Sequence, residues 1–199
     1  MRLSIVIPTL GRPSLVATLA SCADADEIVV VLDTARGCTE LPCDLPANAV
    51  FTEGNFGVTG GHAGRVHGIS LATGTHLAFM DDDDVYCPGV FDLMRDAACN
   101  LPVIFRMDHY SHGILWREPV LRFGNVSTQM YLVPNDPEYL GSWAPHIPGL
   151  PEPGGDYTFM AETVEKMGGP LWSEAITAVL RPELPRPWRS SLLGATISN

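Results

Sequence analysis

Four consecutive carboxylates, Asp81 to Asp84, end an apolar run that begins at Leu77. Acids packed this densely repel one another unless they are solvated or share a cation, and an all-oxygen set suits Mg²⁺ or Mn²⁺. A solvated acidic loop leading into a helix near Pro88 accounts for the same residues, because aspartate favours helix starts. An EF-hand does not: counted from Asp81, the sixth position is Tyr86 rather than glycine and the twelfth is Asp92 rather than glutamate. Further polar groups close other apolar runs, Thr9 after the first and Asp33 after EIVVVL. Arg65 lies in a helical segment preceded by Gly57, Gly60 and Gly61, whose free backbone N–H groups and dipole can hold an anion. Carboxylates for a metal, an arginine, and a carboxylate placed for a ribose or base together make a nucleoside diphosphate the economical ligand. Farther along, Asp156 opens a stretch in which Phe159, Met160, Thr163, Val164 and Met167 recur at helical spacing. It reads as an N-cap, with Glu152 as a second acid nearby.

The elements that must position these groups alternate. Residues 3–7 read as a strand, residues 8–12 as a turn, and Pro13 opens a helix with Leu15, Val16 and Leu19 on one face. Residues 27–32 form a second buried strand and residues 49–52 a third. A loop over residues 53–61 leads to a helix over residues 62–72, with Gly74 expected as its left-handed cap. The run before the acids, residues 77–80, is the fourth strand. In the second half, residues 102–107, 114–117, 126–133 and 171–180 read as strands, and a helix ends at Gly168 and Gly169. The pattern predicts an α/β fold with a mostly parallel sheet flanked by helices, whose ligand crevice lies beyond the carboxyl ends of the strands.

At 199 residues the chain reads as a single domain. A formal net charge of −11 argues against a surface for nucleic-acid phosphates or anionic membranes. No run reaches the ~18 apolar residues of a membrane span, and MRLSIVIPTLG lacks the apolar core of a signal peptide, so a soluble cytoplasmic protein is expected. Five cysteines without a C-x-x-C pair favour reduced thiols over zinc or a disulfide framework. His109, His112 and His146 read singly as structural groups, and Trp143 and Trp172 as core residues or platforms for a sugar face.

In order and spacing, SIVIPTLGRPSLVATLAS, EIVVVLD and GVTGGHAGRVHGISLATGTHLAFMDDDD resemble the amino-terminal half of the inverting family 2 glycosyltransferases of the GT-A fold. The resemblance rests on Pro8 and Thr9, Asp33, Arg65 with Gly68, Ala72 and Gly74, and residues 79–84; one departure is Val66, where the family often has asparagine. It implies a Rossmann-like GT-A domain. Residues 1–100 would bind the nucleotide sugar, residues 101–180 would form the acceptor and catalytic half, and residues 181–199 would be a proline-broken tail. It also implies roles: Pro8, Thr9 and Leu10 along the base, Asp33 on base or ribose, Arg65 on base or diphosphate, and Asp81 and Asp82 on the nucleotide sugar. Asp83, the last acid of a D-x-D triplet, would be the ligand of Mn²⁺ or Mg²⁺, and Asp156 would be the base that deprotonates the acceptor hydroxyl. The expected reaction is metal-dependent inverting transfer of a hexose-type sugar from a nucleoside-diphosphate sugar, UDP- or GDP-linked, to an undefined acceptor. Some members of the resembling family place a further metal or diphosphate contact after the last strand, often a histidine; this chain has no histidine after His146, and whether Trp188 or Arg189 substitutes is open. A sugar-nucleotide pyrophosphorylase is the enzyme alternative, although PTLGRPSL lacks the expected lysine. A non-catalytic nucleotide-sugar-binding relative is the other.

Overall fold

The computed structural model describes residues 1–57, 61–143 and 155–186. Its first four strands follow the expected alternation: β1 (Leu3–Thr9), α1 (Leu15–Ser21), β2 (Glu27–Asp33), β3 (Ala49–Gly54), α2 (His62–Leu71) and β4 (His76–Phe79). β2 and β4 flank β1 and β3 flanks β2, all parallel, so the apolar runs of β1 and β2 are buried along almost their whole length. The second half contributes β5 (Asp84–Tyr86), α3 (Val90–Ala97), β6 (Val103–His109), β7 (Gly113–Leu115), β8 (Tyr131–Pro134), α4 (Gly155–Met167) and β9 (Leu171–Leu180).

One nine-stranded sheet runs through both halves in the order β3-β2-β1-β4-β8-β6-β9-β5, with β7 on β6. Parallel pairing dominates the first half, and the sheet becomes mixed beyond it. β8 enters antiparallel between β4 and β6, whereas β9 runs parallel to β6 and carries β5 antiparallel at its edge. The acids therefore form the crossing from the middle of the sheet to its rim. β4 stops at Phe79, Met80 still donates to the Val6 carbonyl at 3.1 Å, and Asp84 is already the first residue of β5, paired with Leu180.

Several local expectations are corrected by packing. Val16 is exposed, while the buried face of α1 carries Leu15, Thr18 and Leu19, because the Thr18 hydroxyl reaches the Asp84 carbonyl at 2.8 Å. Residues 126–133 are not one strand: a 3-10 turn over Thr128–Met130 precedes β8 and turns Gln129 toward the acids. Gly74 does not adopt a left-handed conformation. A Cβ there would lie 2.8 Å from the Ser4 nitrogen and 2.9 Å from the Arg2 oxygen, so close approach of two backbone segments requires glycine. Gly68 plays the matching part on α2, where a Cβ would collide with Val6 of β1. The G-x-x-x-A-x-G spacing thus seats α2 directly on the sheet.

Glu27 locks this junction from the inside. It accepts from the Ser4 hydroxyl and from the Thr73 nitrogen and hydroxyl at 2.7 and 2.6 Å, and Ser4 in turn receives the Gly74 N–H at 2.8 Å. Burial pushes the carboxyl up, but the bonds from Ser4 and Thr73 and the charge of Arg2 outweigh it and hold the group below its ordinary 4.5. A lowered folded-state pKa contributes stability that is complete above the unfolded value and is lost as pH falls through the folded one. The midpoint of urea unfolding is accordingly expected to fall on acidification below pH 4.5, and Glu27→Gln to flatten that limb while lowering stability at neutral pH.

Among the described residues, no helix is long and apolar enough to cross a membrane.

Candidate functional site

A cavity of about 240 Å³ opens at the carboxyl ends of β1, β2 and β4. Pro8, Thr9, Leu10, Asp33, Asp81, Asp82 and Asp83 all border it. Gly61 and Gly64 of the α2 entrance form part of its wall, and Arg12, Arg36 and Arg181 supply its positive charge. The Asp33 carboxylate accepts from the Ala35 and Phe56 N–H groups at 2.9 and 3.1 Å, which fixes it at the rim.

The four acids do different things. Asp82, 4% exposed, turns inward: one oxygen accepts from the Thr9 hydroxyl at 2.7 Å and the Leu10 nitrogen at 3.1 Å, and the other from Arg12 at 3.0 Å. Asp82 thus braces the loop after β1 while bordering the cavity, and the Thr9 hydroxyl is committed with it. Asp82→Ala is therefore expected to lower stability by about 1–3 kcal/mol, read by urea unfolding, through the stranded Thr9 and Leu10 donors.

Asp81, Asp83 and Asp84 converge, each with a carboxylate oxygen within 4.8 Å of the others. Asp81 accepts from Arg65 and, at 2.9 Å, from Gln129; Asp84, 3% exposed, accepts from Gln129 at 2.6 Å and from the Arg181 N–H at 2.8 Å. Burial and then the charge of Asp81 push Asp84 up to about 8. Loss of hydration also raises Asp81, with Arg65 opposing and Asp156, Asp83 and Asp82 adding to the rise. Asp83 faces the cavity and meets Arg12 at 3.1 Å and Arg181 at 3.4 Å. Three carboxylates whose oxygens converge this closely fit a hard divalent cation such as Mg²⁺ or Mn²⁺.

Arg65 is placed differently from its expected approach to the ligand. It is 2% exposed, lies behind Asp81, and carries its guanidinium 5.0 Å from the Trp143 ring centre. Trp143 is a core residue, stacked on Phe159 at 4.5 Å and edge-on to Phe79 at 5.5 Å, and Trp172 packs edge-on against Trp116. Trp143 is therefore enclosed in the core, while Trp172 is half-buried.

Asp156 sits in the first turn of α4 rather than at its N-cap. Instead of capping its own helix, it reaches across to accept from the Ser127 hydroxyl at 3.0 Å and the Thr128 nitrogen at 3.4 Å. It borders a second cavity of about 220 Å³, together with Ser127, Tyr157, His109 and His112 over an apolar floor that includes Met107 and Leu115. Burial first, and then the charges of His112, Arg181 and Arg186, lower His109 to about 4. His109 is thus neutral near pH 7, consistent with its Nδ1 accepting from the Ser111 and His112 N–H groups. The charge of Asp156 adds to the rise of Asp81. Leu180 lines the second cavity and its neighbour Arg181 the first.

Sequence reasoning missed Arg12, Gln129 and Arg181 and assigned no part to Asp84. Two signals were present: a glutamine inside an apolar run, and an arginine directly after the last strand. Glu152, His146, Trp188 and Arg189 lie outside the described residues.

A family model described as glycosyl transferase family 2 matches residues 4–150. Among solved structures, S. aureus TarS superposes with a TM-score of 0.68 at 15% identity, covering 90% of this chain and 36% of that one. TarS 1-349 in complex with UDP gives 0.61 at 16% identity, covering 90% of this chain and 60% of that one. The complex with UDP-GlcNAc gives 0.62 at 16% identity, with coverages of 90% and 58%. These likenesses show a shared GT-A fold, and the chain spans between 36% and 60% of the lengths of these three. No curated protein matches the chain.

Proposed function

Because the chain belongs to glycosyl transferase family 2, we propose that it moves a sugar from a nucleoside-diphosphate sugar to an acceptor hydroxyl, with inversion at the anomeric carbon. The observation that carries this reading is the convergence of Asp81, Asp83 and Asp84 beside an arginine-bearing cavity, with the Asp156 carboxylate bordering a second cavity next to it where β9 ends at Leu180 and Arg181. One is built of acids, arginines and the α2 entrance; the other presents a carboxylate. In the first, Pro8 and Leu10 flank the base, Asp33 takes a base or ribose donor, and the acids face the diphosphate. Asp81, Asp83 and Asp84 are the residues that would hold Mn²⁺ or Mg²⁺. A divalent cation bound there supplies Lewis-acid stabilisation of the charge that builds on the departing diphosphate.

In the second cavity, the acceptor hydroxyl lies against Asp156, which removes its proton as the oxygen attacks from the face opposite the leaving group. Ser127 and Thr128 hold one oxygen of Asp156 and fix its direction, leaving the other for the proton. His109 and His112 line the acceptor side and help to orient it. The UDP and UDP-GlcNAc complexes of the TarS relative make UDP-sugars the first donors to try. Family membership favours transfer over the nucleotidyl-transfer alternative.

The test is to incubate the protein with UDP-, GDP-, CDP- and dTDP-sugars, Mn²⁺ and a panel of alcohol and saccharide acceptors, following nucleotide release and the product's anomeric configuration by proton NMR. Release of a nucleoside diphosphate with a product of inverted configuration is expected. Retained configuration would overturn the inverting mechanism, and release of a nucleoside triphosphate on adding pyrophosphate would favour the nucleotidyl alternative.

A further inference from the structure

Arg181 combines features that no other described residue shares. It is the only described non-glycine residue at positive φ, 44°, immediately after β9. Its N–H is held by the buried Asp84 carboxylate at 2.8 Å, which anchors the backbone in that unusual turn and aims the side chain along the wall of the first cavity. Its Nε lies 3.4 Å from Asp83 Oδ2, and its guanidinium rests 5.3 Å from the Tyr110 ring centre. Arg12 meets the same Asp83 oxygen, but Arg12 is also tied at 3.0 Å to Asp82, itself buried and fully bonded. Among the described residues the Arg181 side chain meets no second carboxylate, and it is half exposed, so its backbone is fixed while its side chain is the looser of the two cations.

Resting on the donor-site reading above, we propose that Arg181 is an exchangeable counter-cation. It neutralises Asp83 while the site lacks a divalent ion, and it turns to the donor's diphosphate when the ion takes Asp83. A metal at Asp81, Asp83 and Asp84 occupies the lone pairs that Arg181 now faces and repels the guanidinium at short range. The released side chain already borders the donor cavity, where a diphosphate is the arriving anion and a planar guanidinium can bond two of its oxygens at once. Tyr110 offers its ring face as the pivot on which the guanidinium slides. The two ligands therefore experience Arg181 with opposite sign: it competes with the metal and supports the nucleotide.

Calorimetric titration of the whole chain separates these effects. Mn²⁺ is titrated alone, and then UDP, GDP, CDP and dTDP in saturating Mn²⁺, into wild type, Arg181→Ala and Arg181→Lys. Arg181→Ala is expected to bind Mn²⁺ about threefold to tenfold more tightly and the preferred nucleoside diphosphate about tenfold more weakly. Arg181→Lys keeps the charge without the planar fork, so its Mn²⁺ affinity should stay near wild type while its nucleotide affinity falls. It also carries the test should the alanine variant not fold, since an unchanged nucleotide affinity in Arg181→Lys overturns the proposal. Unchanged Mn²⁺ affinity in Arg181→Ala, or weakening of both ligands together as a purely structural arginine would give, overturns it as well. A wild type that binds none of the four nucleotides would sink the donor-site reading and the diphosphate half of this proposal, while the Mn²⁺ titrations would still decide the competition.

Discussion

Asp156→Asn is expected to lower turnover about a thousandfold, within the range a general base contributes, while leaving nucleotide affinity within about twofold of wild type. Asparagine keeps the shape of the side chain and one acceptor oxygen for Ser127 and Thr128, so the turn at the start of α4 should persist. What it loses is the capacity to accept a proton. The measurement is steady-state kinetics beside calorimetric binding of the nucleoside diphosphate and a melting curve. A fall in melting temperature with turnover preserved would make Asp156 a structural link between α4 and the 3-10 turn rather than a base.

Asp83→Ala should act on the other ligand. Removing the carboxylate that faces the cavity is expected to cost about two powers of ten in Mn²⁺-dependent nucleotide affinity, the scale of about 3 kcal/mol of lost metal stabilisation. Arg12 and Arg181 both lose a partner in this variant, which leaves them free for phosphate oxygens. Metal-free nucleotide binding should consequently be maintained or slightly strengthened even as the metal-dependent part disappears. Calorimetry with and without EDTA separates the two. A variant that keeps its Mn²⁺ dependence would place the metal elsewhere.

Much of the first half could be read directly because its signals are local. The apolar runs of β1, β2 and β4, the polar residue after each, and the glycines that seat α2 all lie within short segments. The differences among the acids could not be read this way. Four identical residues carry no pattern, and their roles come from partners far away in sequence: Asp82 from Thr9 and Arg12 of the first loop, Asp84 from Arg181 across 97 positions. Arg65 illustrates the same limit, since a helix arginine near glycines reads as an anion ligand until Trp143 and Asp81 are seen to enclose it. In the second half, β8, β6 and β9 mix directions within one sheet, and no local period reveals pairing direction. Asp156 was legible as a helix-start acid, but its reach to Ser127 depends on a 3-10 turn inside what reads as a strand.

The central claim is that the acid-lined cavity binds a nucleoside-diphosphate sugar together with a divalent cation. A thermal-shift series on the wild-type protein, with UDP-, GDP-, CDP- and dTDP-sugars in the presence and absence of Mn²⁺, reaches it most directly, because a ligand selective for the folded state raises the melting temperature. The account predicts a clear rise with one nucleotide class that needs Mn²⁺ and vanishes on adding EDTA. No rise with any donor, or a rise indifferent to the metal, would contradict it.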